Sequence, residues 1–105
     1  MCRAFQGYRE LHKIKRQFED IITRATALDE PNLWDILNRM LHGQNLFYDV
    51  NSYLSQLGAE QVSYPGGSGN SKTKVTRWFD KLKEQLAQLE LLHGPYFAHE
   101  DVEEE

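Results

Sequence analysis

Apolar residues in this chain recur three or four positions apart in three long runs. The third run, Val75, Trp78 with Phe79, Leu82, Leu86, Leu89 and Leu92, keeps that spacing over nearly three heptads. One face of an α-helix returns every 3.6 residues, whereas a half-buried strand alternates every two, so the pattern restricts the chain to an all-α fold. Asn70 or Ser71 stands where a side-chain oxygen caps a helix start, and Gly94-Pro95 reads as a C-terminal stop, which bounds this helix at about 72–93. So regular a repeat favours near-parallel alignment with a neighbouring helix.

The first run, Tyr8, Leu11, Ile14 or Lys15, Phe18, Ile21 with Ile22, Ala25 and Leu28, predicts an amphipathic helix over 5–28. It should stop near Asp29-Glu30-Pro31, because proline disfavours helical geometry in the residue before it and suits the first turn of the next helix. Asp29 or Glu30 would then sit at the positive end of that next helix. The second run predicts a helix over 31–57, with one stripe through Leu33, Ile36 and Leu37, Met40, Phe47, Val50, Leu54 and Leu57 and another through Trp34, Leu41 and Tyr48. Gly58 is a natural left-handed stop, and Gly43 threatens the middle, since glycine costs about 1 kcal/mol against alanine inside a helix. The simplest assembly is an antiparallel three-helix bundle, four-helical if the central segment breaks at Gly43.

Residues 65–71 carry Gly66-Gly67-Ser68-Gly69, a flexible-coil composition that is also used to replace a longer loop or to join two pieces. A central helix of 27 residues would be on the order of 40 Å long, and a connector of a dozen residues barely spans that when fully stretched. The last helix is therefore expected to run antiparallel to the central segment.

At 105 residues the chain is one domain's worth, and its aromatics are spread along the length, which argues against disorder. No stretch approaches the ~20 apolar residues of a membrane span, and the N-terminus lacks the order of a secretory signal. With Cys2 as its only cysteine, the chain cannot form an intrachain disulfide. A soluble intracellular protein, cytoplasmic or nuclear, is the expectation. The net charge of −4 hides segregation: basic residues dominate from Arg3 to Arg24, acids from Asp29 to Glu60, and five cations meet only Asp80 between Lys72 and Lys83. The acidic run Glu100 to Glu105, within a segment 98–105, reads as a solvated tail.

His12, His42, His93 and His99 show no metal-binding spacing; His42 beside Gly43 and His93 beside Gly94 read as last-turn histidines at the negative ends of helices. No nucleophile elbow or phosphate loop is present, so no enzyme, metal or cofactor is inferred. Arg39 and Gln44 interrupt the central apolar run and could hold an anionic substrate inside the bundle, although Arg39 reads more simply as part of a solvated face. Lys13, Lys15 and Arg16 with Lys74, Arg77 and Lys81 would form one basic face if the first and last helices present them together. The overall negative charge and the lack of interleaved aromatics weigh against nucleic acid. Protein recognition remains. Trp34, Leu41, Tyr48, Trp78, Phe79, Tyr96 and Phe97 are large apolar side chains in apparent excess of one core, of the type that dominates interfaces. They point to an adaptor or regulatory domain that takes a partner's amphipathic helix or peptide, with a homo-oligomerisation module as the alternative and a nucleic-acid-binding helical domain after that.

Overall fold

The computed structural model describes residues 3–43, 46–63 and 69–103, with side chains placed over 6–42, 46–63 and 69–94. Every regular element among them is a helix: α1 Arg3–Leu28, α2 Pro31–Gly43, α3 Leu46–Leu57 and α4 Ser71–Glu103. The central run is thus described as two helices on either side of residues 44–45, next to the glycine that weakens helix there.

Local chemistry explains most of the boundaries. Asp29 takes a left-handed φ of 51° and the Glu30 N–H reaches the Ala25 carbonyl at 3.3 Å, the six-residue closure of a Schellman stop. Aspartate tolerates this geometry better than most residues, so Asp29 ends α1, and the Glu30 carbonyl then accepts from the Leu33 N–H (3.1 Å) as Pro31 opens α2. Gly58, at φ 92°, repeats the stop after α3: its N–H bonds the Ser55 carbonyl (3.1 Å) and the Ala59 N–H bonds the Leu54 carbonyl (2.9 Å). Asn70 caps α4 by accepting the Thr73 N–H on Oδ1 at 2.9 Å.

The end of α4 is two-sided. The backbone leaves helical geometry at His93 (φ −125°, ψ 21°), beside the Gly94-Pro95 stop, and a further helical stretch then runs to Glu103, which the sequence reading did not include. Proline lacks the N–H that a helix interior needs, but the first turn does not use that group, so Pro95 restarts a helix as readily as it ends one. The segment read as a tail is therefore helical as far as Glu103, and the side chains of Tyr96 and Phe97 lie outside the described residues.

One apolar core joins all four helices. α1 packs against α2, α3 and α4, and α2 also packs against α3 and α4, whereas α3 and α4 scarcely touch. Early α1 meets late α4 through Tyr8 and Glu90, and later α1 meets early α4 through Phe18, whose ring lies 5.3 Å from Trp78 and 6.4 Å from Phe79, so these two helices are antiparallel. At Gly7 an added Cβ would lie 3.3 Å from the Tyr53 ring, so the glycine permits the close approach of α1 and α3. The expected antiparallel placement of the last helix does not hold for α2. Asp35 accepts a 2.7 Å hydrogen bond from the Ser71 hydroxyl and Lys72 sits 5.9 Å from the Trp34 ring centre, so α2 and α4 begin at the same end. That expectation rested on an unbroken helix of 27 residues, and α2 has 13.

Candidate interaction site

Four of the residues read as partner anchors are interior. Trp34, Leu41, Trp78 and Phe79 are buried in the core, so they cannot contact a partner without being uncovered. The core among the described residues absorbs them, together with Val62 from the segment after α3. Tyr48 is different, 71% exposed on the outer face of α3. It borders a groove of about 420 Å³ lined also by half-buried Phe47 and by Asn51, Ser52, Ser55, Gln56 and Gln61.

Asn51 belongs to the buried stripe of α3, and its amide is bidentate to one residue. Its Nδ2 donates to the Val62 carbonyl at 3.1 Å, and its Oδ1 accepts the Val62 N–H at 2.7 Å. Val62 is itself buried, on a stretch without regular secondary structure, residues 59–63, that follows the Schellman stop; that one amide reaches both its N–H and its carbonyl puts those groups on the same side, as in extended backbone. From α4, the buried Gln85 accepts the Glu60 N–H on Oε1 at 3.1 Å. Two helix amides therefore hold an extended backbone in the space where α3 and α4 would otherwise meet. Cavities flank it on both sides: the Tyr48 groove, and another lined by Glu60 to Ser63, Lys81, Glu84 and Gln85. Sequence reading missed Asn51 and Gln85. The signal was there, since each occupies a stripe position, Asn51 between Phe47 and Leu54 and Gln85 between Leu82 and Leu89, and a polar residue in a buried register must find partners.

The six cations read as one face are not brought together. The α4 residues turned toward α1 are Phe79 and Glu90. At roughly 100° per residue, Lys74, Arg77 and Lys81 lie about 140–160° round the helix from Phe79, on the opposite flank of α4 from the α1 residues Lys13, Lys15 and Arg16. Lys13 is within 3.7 Å of Glu10. Arg39 is exposed, in keeping with a solvated face, and Gln44 lies outside the described residues.

A second polar cluster ties α1 to α4. The Tyr8 hydroxyl donates to Glu90 Oε2 at 2.8 Å, and the buried His12 Nε2 lies 2.8 Å from that hydroxyl and 3.2 Å from the carboxylate. His12 thus serves in helix pairing. Among the described residues no group of three or more His, Cys, Asp or Glu side chains is placed to hold a metal, and no helix is long and apolar enough to cross a membrane. Burial raises the Tyr53 phenol above its usual 10.0, with smaller contributions from the Glu10 and Asp49 charges. Compared with known proteins, the chain matches no family model, no curated protein and no solved structure.

Proposed function

We propose that this chain is a helical-bundle interaction domain, without catalytic activity, whose α3 face takes a peptide segment of another intracellular protein. The observation that carries the reading is Tyr48, a large amphipathic side chain held 71% exposed on a helix and bordering a groove with hydroxyl and amide groups along it. Tyrosine loses little conformational entropy when covered and offers both ring area and a hydroxyl, which is why it recurs at interface centres. Selection of a random peptide phage library on the protein tests this. Enriched peptides should bind the wild type and lose at least tenfold in affinity to Tyr48→Ala with unchanged helix content by circular dichroism. Enrichment of nothing, or of peptides indifferent to Tyr48, would remove the reading.

Self-association is the second reading, and Leu91 and Leu92 favour it. They stand 86% and 70% exposed just before the break at His93, an adjacent apolar pair on the surface of α4. Light scattering across a wide concentration range separates the two: a stable dimer dispersed by Leu91→Asp assigns the pair to self-contact, and a monomer throughout removes that role.

A further inference from the structure

We propose that the cleft between α3 and α4 is a binding site for an extended peptide, occupied in the isolated chain by its own residues 59–63. The proposal deepens the reading above by naming the ligand's conformation and chemistry. Its basis is that α3 and α4 scarcely touch, and what joins them is backbone recognition. Asn51 reads both the N–H and the C=O of Val62, and Gln85 reads the N–H of Glu60. These three bonds use backbone groups alone; the segment's side chains are engaged at Val62, which is buried, and at Gln61, whose Nε2 donates to Ser55 Oγ of α3 at 2.9 Å. A ligand for this site is therefore an extended segment with a β-branched aliphatic residue at the anchor. Neither the anchor nor the residue two before it can be proline, because both N–H groups are used. Lys81 and Glu84 line the cavity alongside Glu60, so charged groups of both signs stand near the position two before the anchor.

The resident segment suits exchange. Beyond the three bonds from Asn51 and Gln85 it is held by the Ala59 N–H on the Leu54 carbonyl (2.9 Å), by Gln61 Nε2 donating to Ser55 Oγ (2.9 Å) and by one buried side chain, Val62; it begins at the Gly58 stop, and in sequence the glycine-rich run 66–69 follows it closely. The flanking cavities leave the edges of the cleft open to an incoming chain. Tethering places the resident at an effective concentration on the order of millimolar, so a free peptide competes poorly until the resident is weakened. The segment thus acts as a built-in competitor that sets the threshold for a partner.

The test uses a fluorescein-labelled synthetic peptide with the sequence of residues 57–65 and the full chain, read by fluorescence polarisation. Val62→Asp, which puts a charge at the buried anchor of the resident, should bind this peptide at least tenfold more tightly than the wild type does. Adding Asn51→Ala to that variant, or proline at the peptide's anchor, should each cost at least tenfold. A folded Val62→Asp that ignores the peptide, or binding indifferent to Asn51→Ala, overturns the proposal. Should Val62→Asp lose its helical signal, the wild type decides. With ¹⁵N-labelled protein, unlabelled peptide at millimolar concentration should weaken the Val62 N–H and Asn51 side-chain resonances, and unchanged resonances overturn the exchange. Library peptides that need Tyr48 but ignore Asn51 would count against exchange while leaving the interaction domain standing. Exchange of the 57–65 peptide with no library peptide selected would do the reverse.

Discussion

Replacing Asn51 with alanine removes both hydrogen bonds to Val62 while leaving α3 a better helix former, so any loss of stability comes from the held segment. Two outcomes compete inside the variant. If residues 59–63 stay in place, the Val62 N–H and carbonyl are left buried and unpaired at about 1–3 kcal/mol each. If the segment peels away, the groups regain water but the Val62 side chain is exposed, at about 1.5–3 kcal/mol. The cheaper route limits the cost, which places it near 2 kcal/mol, and for a chain of this size that lowers Tm by about 10 °C. Thermal unfolding followed by circular dichroism at 222 nm measures it, with Gln56→Ala on the exposed side of α3 as a control expected to stay within about 0.5 kcal/mol. Hydrogen exchange gives a second readout: the Val62 amide, held at 2.7 Å in the wild type, should exchange about 30-fold faster. A Tm within about 3 °C of wild type, with Val62 protection unchanged, would refute the idea that Asn51 holds the segment.

Other outcomes follow from single residues. The Trp78 indole N–H is buried and has no hydrogen-bond partner among the described residues, so Trp78→Phe should cost under about 1.5 kcal/mol against about 3–5 for Trp78→Ala, read by urea unfolding; equal costs would contradict this. Asp29→Gly should raise Tm by a few degrees by relieving a left-handed backbone, whereas Gly58→Ala should lower it, at about 1 kcal/mol each; the same sign for both would be inconsistent with the two stops. Above pH 10 the unfolded state releases the Tyr53 proton before the folded state does. The stability tied to that phenol is therefore complete below the unfolded value and lost as pH rises through the folded one. Tyr53→Phe should flatten the fall of Tm between pH 10 and 11, and an unchanged slope would assign that fall to other groups.

Helical periodicity was enough to make the described residues all-α, and local chemistry was enough to place the ends of α1 and α3. A proline suits only the first turn of a helix, a glycine suits a left-handed stop, and Asn70 can cap its own helix with no help from elsewhere. Local signals are two-sided at Gly94-Pro95, however. The same pair can end one helix or open another, and the backbone does both within a residue of His93. Sequence also supplied Tyr48 as an outward aromatic, but it could not separate Tyr48 from Trp34, Leu41, Trp78 and Phe79, because a stripe position says which side chains share a face and not what covers it. Coverage depends on how many elements surround the core, and the extended segment 59–63, which has no periodicity, supplies one of them. The partners of Asn51 and Gln85 lie 11 and 25 residues away in sequence, across a stretch with no helical pattern to set its direction. Likewise, the separation of the α4 cations from those of α1 follows from which side of α4 the first helix packs on, a choice made by Phe18 against Trp78 and Phe79 and by Tyr8 and His12 against Glu90. Composition and spacing determined the helices and their apolar faces; long-range packing decided which polar residues went inside, because only the assembled helices create a buried place where an amide must find a backbone to bond.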